Sequence, residues 1–187
     1  EKLKKVKPLS CPNKDNFLNI QTNIIAKLDD AKLACSDLGK KLSYDIHINQ
    51  KFIEGDVNEL SNYFHSYLLN CPKGLHIWGG ESSVQLPASP GRGGRNQQLA
   101  LLMAEKIQNL DNVTFLSAGT DGTDGPTNDA GGIIDGKTIN LGEKLDLNYQ
   151  KYLSEADSGN YLDKVDALIT TGPTGTNVMD LILAIKI

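Results

Sequence analysis

Apolar positions recur along the chain in two spacings, which together predict helices alternating with strands. Helical spacing of apolar residues predicts helices over about 24–38, 56–68 and 96–110, and a further helix that closes over about 161–165. Short apolar and β-branched runs predict strands over about 17–20, 44–48, 75–78, 83–86, 113–117, 132–136 and 167–171. Residues 178–187 lack a polar face and fit either a buried strand or a buried helix. This order predicts an α/β layered domain with a mixed, largely parallel sheet flanked by helices.

Local signals mark the ends of the first two helices. Gly39 stands where a glycine often ends a helix, just after the last residue of the first apolar stripe. Asp56 and Glu59 have the spacing of a capping box at the start of the second helix. Residues 1–16 are polar and contain Pro8 and Pro12, so we interpret them as a lead-in to a single lobe over residues 17–187.

Composition narrows the class of protein. The chain has 187 residues, 39% hydrophobic and 22% charged, which is typical of a globular domain with a real core. Its net charge of −4 argues against a nucleic-acid partner, and no apolar run reaches the roughly 18 residues of a membrane span. Cys11, Cys35 and Cys71 are widely spaced and odd in number, which argues against a disulfide framework or a zinc site. A cytoplasmic location is therefore expected.

Four glycine-rich polar segments, each after an apolar stretch, carry the functional signal. They occupy residues 79–83, 91–96, 119–127 and 172–177. Glycine lets the backbone approach a ligand closely, and successive amides in such loops form concavities that bind anions. Ligands of α/β proteins gather beyond the carboxyl ends of strands, so we expect the four segments to converge at one edge of the sheet. The pattern predicts a site for an anionic, phosphorylated ligand.

The second and third segments supply charged side chains. Arg92 and Arg95 precede a helix whose N-terminus favours anions, so they can grip phosphate or carboxylate with forked hydrogen bonds. The alternative is a surface loop with solvated arginines. Asp121 and Asp124 can hold Mg²⁺ or act as a base for a substrate hydroxyl. Tight Asp-Gly turns are the alternative for that loop.

The other segments offer short polar groups. Thr174, Thr176 and Asn177 follow a predicted strand, although a Pro-Gly turn would explain the same residues. Glu81 adds a carboxylate to the first segment, or serves there as a turn anchor. Residues 131–138 match the phosphate-binding pattern G-x-x-x-x-G-K-[ST], but a Pro/Asp/Gly loop precedes them instead of a strand, so we interpret this match as a decoy.

The segments in order resemble the C-terminal lobe of the class II glycerate kinases, which includes the MOFRL domain and is often labelled hydroxypyruvate reductase. The resemblance rests on Gly79-Gly80-Glu81-Ser82, Gly91-Arg92-Gly93-Gly94-Arg95-Asn96-Gln97, Ser117-Ala118-Gly119-Thr120-Asp121-Gly122, Asp124-Gly125-Pro126-Thr127 and Thr171-Gly172-Pro173-Thr174-Gly175-Thr176-Asn177. It is strongest over residues 74–187 and extends more weakly back to about residue 17.

The resemblance implies a reaction and a set of residues. Enzymes of that family transfer the γ-phosphoryl group of ATP to D-glycerate, giving 2-phosphoglycerate, with Mg²⁺, in a cleft between two α/β lobes. It assigns catalytic roles to Arg92, Arg95, Asp121 and Asp124, with Asp121 and Asp124 also at the metal. It assigns substrate or phosphate binding to Gly79, Gly80, Glu81, Ser82, Gly93, Gly94, Asn96, Thr120, Gly172, Thr174, Gly175, Thr176 and Asn177.

The resemblance also implies a partner. The family's N-terminal lobe, which carries a phosphate-binding lysine, is absent from this sequence and would be supplied in cis or in trans, so we expect the chain alone to be inactive. The alternative is a non-catalytic anion- or nucleotide-binding module that retains the loops. An NAD(P)-dependent reductase is disfavoured, because no strand is followed by G-x-G-x-x-G.

Overall fold

The computed structural model describes residues 20–187, which form six helices and six strands. In chain order these are α1 Leu28–Lys41, β1 Ile46–Asp56, α2 Val57–Asn70, β2 Gly74–Ser83, α3 Arg95–Lys106, β3 Val113–Gly119, β4 Gly131–Asp135, α4 Thr138–Lys144, α5 Tyr149–Ser154, α6 Ser158–Lys164, β5 Leu168–Ile169 and β6 Asp180–Lys186.

The six strands form one mixed sheet in the order β1-β2-β6-β3-β4-β5. Strands β1 and β2 pair in parallel, and each of the other neighbouring pairs is antiparallel. The α/β layered architecture with a mixed sheet is therefore confirmed. One detail differs from the expectation of largely parallel pairing. Four strands share a direction, but β6 lies between β2 and β3, and β4 lies between β3 and β5, each running the opposite way.

Helices cover both faces of β2. Trp78 meets Phe64 of α2 edge-on, with ring centroids 5.2 Å apart, and these side chains belong to the main core with α3. Gly79 lies on the opposite face, where an added Cβ would stand 2.6 Å from a methyl group of Leu28 in α1. Successive strand residues face opposite sides, so α1 lies across the sheet from α2 and α3.

Helix α2 follows most of its sequence signals, although within residues 20–187 no hydrogen bond joins Glu59 to Asp56 as the predicted capping box requires. The side chain of Asp56 accepts a hydrogen bond from the backbone N–H of Asn58, which confirms Asp56 as the N-cap. The predicted apolar stripe is buried at Val57, Leu60, Phe64 and Leu68. At the other end of the helix, the ammonium group of Lys186 in β6 donates to three main-chain carbonyls, those of Leu68, Leu69 and Cys71. Lys186 therefore links the central strand β6 to the C-terminal end of α2.

Several predicted boundaries were wrong. Helix α1 begins at Leu28 rather than near residue 24, and it continues through Gly39, which is buried against Ile46 and Leu75. The predicted strand over 17–20 lies mostly outside the described residues, and Ile20 has no regular structure. Strand β2 runs on to Ser83, and residues 84–86 form no return strand. Residues 180–186 form a strand, and helices α4 and α5 were not predicted.

Within residues 20–187, no helix is long and apolar enough to cross a membrane.

Candidate functional site

The glycine-rich segments meet at one edge of the sheet, where β2 and β3 end and β6 begins. Glu81 of β2 lies 3.2 Å from Arg95, the first residue of α3. Arg95 in turn binds Asp180, the first residue of β6. The hydroxyl of Thr174 donates to the carbonyl of Thr120, directly after β3. The expected convergence at one edge is confirmed by these contacts.

Arg95 is held by two carboxylates. Its Nε and Nη2 atoms donate to Asp180 at 3.0 and 3.2 Å, so the forked edge of the guanidinium is used within the protein. Its Nη1 atom lies 3.2 Å from the Oε1 atom of Glu81. The hydrogen bonds to Asp180 raise the pKa of Arg95, against the effect of its burial. The forked grip expected for a ligand is therefore made to Asp180, a residue that sequence reasoning missed.

Arg92 belongs to a different cluster. Its guanidinium donates to the buried Asp129 and, at 3.1 Å, to Asp163 of α6. The hydroxyl of Thr170 donates to the other oxygen of Asp129 at 2.7 Å. Within the described residues, none of the polar contacts of Arg92 involves Arg95 or its partners. Arg92 thus links its loop to α6, and its guanidinium contacts carboxylates of the chain itself.

Asp124 is the anion at the N-terminus of α3. Its carboxylate is 3% exposed and accepts hydrogen bonds from the backbone N–H groups of Asn96 and Gln97 at 3.1 and 2.8 Å. A Cβ at Gly94 would collide with this carboxylate, so glycine is needed there for the approach of a side chain of the protein itself. The helix terminus predicted to bind phosphate is therefore occupied by Asp124.

The environment of Asp124 changes its acidity. Burial raises the pKa of this carboxyl group to about 6, although the hydrogen bonds from the backbone of Gln97 and Asn96 lower it. The negative charge of Asp180 raises the pKa further, and Arg95 lowers it. This is the direction expected when desolvation of a carboxylate outweighs its hydrogen bonds. The group is poised to change its charge near neutral pH.

Buried polar side chains fix the start of α3. The hydroxyl of Ser117 in β3 donates to Asn96 at 2.6 Å, and the amide nitrogen of Gln97 donates to Thr127 at 2.9 Å. Asn96 was predicted as a ligand-binding residue, but its side chain is 1% exposed and is used within this network. Ser117, Gln97 and Thr127 lie in the segments that carry the resemblance, but no role was predicted for them, because their hydrogen bonds join elements far apart in sequence.

The loops after β3 and before β6 hold each other. Asp121 accepts hydrogen bonds from the N–H of Thr123 at 3.0 Å and from the amide of Asn177 at 3.1 Å. The backbone N–H of Thr174 donates to the carbonyl of Asp121, and the carbonyl oxygen of Thr176 lies 3.1 Å from the hydroxyl oxygen of Thr174. Gly172 and Gly175 have φ values of 69° and 75°, which favour glycine. These residues lie close to the surface.

A polar cavity of about 100 Å³ lies between these groups. It is lined by Arg95, Asp121, Thr123, Asp124, Gly125, Asn177, Met179 and Asp180. It combines one guanidinium with three aspartates, and Glu81 lies against the guanidinium from the side of β2. Of the predicted catalytic residues, Arg95, Asp121 and Asp124 line this cavity, and Arg92 does not.

The model of the MOFRL family matches residues 74–180, more than half of the chain. The chain belongs to the MOFRL family. It is 36% identical over 176 residues to D-glycerate 2-kinase of Thermotoga maritima and 32% identical over 180 residues to glycerate 2-kinase of Pyrococcus horikoshii. These alignments cover 89% and 92% of the chain, but only 42% and 41% of the relatives, so the chain spans less than half of their length.

Two crystal structures resemble this MOFRL protein over 90% of its length. The glycerate kinase of Thermotoga maritima superimposes with a TM-score of 0.84 at 34% identity. The PH0495 protein of Pyrococcus horikoshii superimposes with a TM-score of 0.82 at 32% identity. The chain covers 42% and 40% of those two chains, respectively. The resemblance stated from the glycine-rich segments is thereby confirmed.

The first glycine segment of this MOFRL chain is part of the sheet. Gly79, Gly80, Glu81 and Ser82 belong to β2 and pair with β1, which corrects their assignment to a loop. A Cβ at Gly80 would collide with the backbone carbonyl of Ile53 in β1, so this glycine is required for strand packing. Ser82 is buried, and its hydroxyl has no hydrogen-bond partner within residues 20–187. From this segment only Glu81 reaches the charged cluster.

Two further sequence predictions for this MOFRL chain concern the phosphate-loop match and the metal site. Residues 131–135 of the phosphate-loop match form strand β4, so its interpretation as a decoy is confirmed. Within the described part of the chain, no group of three or more His, Cys, Asp or Glu residues has the arrangement of a metal site. Mg²⁺ often needs only one or two carboxylates besides substrate phosphates. Asp121, which is half-buried, fits that role better than Asp124, which is 3% exposed and whose oxygens accept backbone hydrogen bonds from α3.

Proposed function

We propose that this chain is the C-terminal lobe of an ATP-dependent glycerate kinase that phosphorylates D-glycerate to 2-phosphoglycerate in the cytoplasm. The observation that carries the proposal is the 36% identity to D-glycerate 2-kinase over 89% of the chain. The polar cavity at the edge of the sheet supports it, because phosphoryl transfer depends on positioned charges more than on covalent catalysis. The other lobe would be supplied in cis or in trans.

In this proposal the residues of the cavity have different roles in metal binding, substrate binding and positioning. Asp121, oriented by Asn177, would hold Mg²⁺ together with the phosphates of ATP, and that ion would neutralise charge on the transferring group. The Nη1 edge of Arg95 would meet the carboxylate of glycerate or a phosphate oxygen. Thr174 and Thr120 would keep the two loops in register. Asp124 and Asp180 would position α3 and Arg95 without touching the substrate.

The charge of the cavity explains why this lobe should not work alone. Glu81, Asp121, Asp124 and Asp180 surround a single guanidinium, that of Arg95. ATP and glycerate are anions, so they would meet net negative charge here unless Mg²⁺ and cationic groups from the other lobe were present. In-line transfer also requires both reactants to be held in one geometry, which one wall of a cleft cannot provide.

The test is turnover of ATP to ADP with D-glycerate and Mg²⁺ in a coupled assay. We expect no turnover from the 187-residue chain by itself. Turnover should appear when the chain is joined to the remainder of the Thermotoga maritima kinase, and Asp121→Asn should abolish it. Robust turnover by the chain alone would contradict the proposed need for a second lobe.

A non-catalytic module is the second candidate. It is favoured by one observation, namely that both arginines predicted to grip a ligand are paired with carboxylates of the chain itself. Such a module would bind 2-phosphoglycerate or ATP in calorimetry and remain inactive with the second lobe present. Turnover by the joined protein would decide against it.

A further inference from the structure

The two carboxylates that contact Arg95 differ in exposure. The side chain of Asp180 is 3% exposed and accepts two hydrogen bonds from the fork of the guanidinium. The side chain of Glu81 is 52% exposed, and its Oε1 atom lies 3.2 Å from the Nη1 atom. One partner therefore fixes the position of Arg95, while the other lies at the Nη1 edge that Asp180 leaves open.

We propose that Glu81 is an internal counter-ion that occupies the open edge of Arg95 until a ligand carboxylate or phosphate displaces it. This inference rests on the proposed function of the same cavity and adds to it a residue that sets the affinity for the anion. Glu81 acts through Arg95, so it is a residue that tunes binding and not a catalytic residue.

The energetics of the two contacts make the exchange feasible. An ion pair between exposed side chains contributes little to stability, because water screens it and both side chains lose rotamer freedom. The forked, partly buried contact between Arg95 and Asp180 is of the stronger kind. An incoming anion would therefore replace Glu81 at small cost, and Arg95 would stay in place, oriented by Asp180.

Glu81 also has a consequence for affinity. While it remains beside Arg95, its charge repels any anion that approaches the same edge. An anion must compensate for the lost contact and for this repulsion, so its affinity is lowered. The expected result of removing the Glu81 charge is tighter binding of anions.

The chain supplies a matched control at the neighbouring position of β1. Glu54 pairs in register with Glu81 and is also exposed, but it has no ion pair to Arg95. Glu54→Gln removes the same charge from the same end of the sheet without changing any contact of Arg95. It separates a local effect at Arg95 from a general change in net charge.

The experiment is calorimetric titration, with Mg²⁺ present, of the chain joined to the remainder of the Thermotoga maritima kinase, using inorganic phosphate and, separately, D-glycerate as the probe. We expect Glu81→Gln to bind the anion about twofold to fivefold more tightly than the native chain, the range that corresponds to loss of an exposed ion pair. Glu54→Gln should bind as the native chain does. The gain should shrink as potassium chloride is added, because the effect is electrostatic. Tightening with one probe alone would identify which anion uses the edge.

Three results would overturn the inference, and they differ from failure of the proposed function. Equal affinity of Glu81→Gln and the native chain would show that Glu81 does not compete. An equal gain for Glu54→Gln would assign the effect to net charge. Absence of binding by the native chain and by Glu81→Gln would reject the anion site itself, and the inference with it.

Discussion

Two groups of residues around the edge cavity are built in opposite ways. The packed wall, which comprises the lining residue Asp124, its neighbours Gly94 and Asn96, and Gly80 of β2, is held by buried hydrogen bonds and by glycines that leave no room for a side chain. The loop wall, which comprises the lining residues Asp121 and Asn177 and the nearby loop residues Gly172, Thr174 and Gly175, is held by contacts near the surface. Both walls come from segments with the same glycine-rich, polar composition.

The comparison shows that glycine has two different structural roles in this protein. In the packed wall, a Cβ at Gly80 or Gly94 would collide with a neighbouring strand or carboxylate. In the loop wall, Gly172 and Gly175 have open space around them and positive φ values. The first pair serves close packing, and the second pair serves a turn. Composition alone cannot distinguish these roles, because the deciding neighbour is distant in sequence.

The largest effect is expected from the packed wall. Gly80→Ala places a methyl group against the backbone of Ile53, which cannot move without separating β1 from β2. We expect the free energy of unfolding to fall by about 3 kcal/mol, at the upper end of overpacking costs. Urea unfolding followed by circular dichroism measures the change. A cost below that of Gly175→Ala would break the distinction between the walls.

The second effect concerns pH. The pKa of Asp124 is raised from 3.8 to about 6 in the folded chain, so the folded state holds this proton more tightly than the unfolded state. The associated stability is present below about pH 4 and is lost as the pH rises through 6. Relative to Asp124→Asn, the native chain should therefore lose about 2–3 kcal/mol between pH 4 and pH 7.

Unfolding free energies of both proteins at the two pH values measure this difference. Asp121→Asn, in the loop wall, is the control, because it removes a carboxylate from the same loop without changing the buried one. Parallel pH profiles for the native chain and Asp124→Asn would contradict the burial argument.

A smaller effect is expected from the loop wall. Gly175→Ala meets no neighbouring atom within 4 Å, but it forces an L-residue to adopt a φ of 75°. Its cost should be about 1 kcal/mol, the usual cost of left-handed backbone for a residue with a Cβ. Thermal unfolding monitored by circular dichroism is the measurement. A loss as large as that of Gly80→Ala would show that the loop is packed in some way that its open surroundings do not indicate.

The smallest effect should come from one hydroxyl. Thr174→Val removes the hydrogen bond to the carbonyl of Thr120 at an exposed position, with an expected cost of about 0.5 kcal/mol. Amide hydrogen exchange should nevertheless accelerate across residues 172–177. Thr176→Val is the matched control, since the Thr176 hydroxyl makes no hydrogen bond within residues 20–187. Equal acceleration in both variants would mean that the Thr174 hydroxyl does not hold the loops together.

Sequence reasoning succeeded where the deciding interaction is local. Asp56 was recognised as a helix cap from its place before the apolar stripe and its spacing to Glu59, and its actual partner, Asn58, is only two residues away. The convergence of the segments followed from the rule that strand ends share an edge, which needs no knowledge of pairing. Family resemblance pointed to the right segments, and it included Glu81 and Arg95.

The partners inside the site could not be read from the sequence. Asp124 binds the start of α3 across 28 residues of sequence, and Arg95 binds Asp180 across 85. One signal for Asp180 was available, a lone carboxylate at the start of the apolar run over 181–185. A charge in that position has to be paired once the strand is buried, and this points to a cation at the same edge.

The position of β6 has a consequence for synthesis on the ribosome. Among the described strands β6 is translated last, yet it lies in the middle of the sheet, between β2 and β3. Until residues 180–186 have left the exit tunnel, β2 and β3 expose unpaired edges, which are templates for aggregation. The hydrogen bond from Lys186 to the end of α2 can also form only after β6 has emerged. Nascent chains of this protein should therefore depend on holding chaperones until the last strand is released.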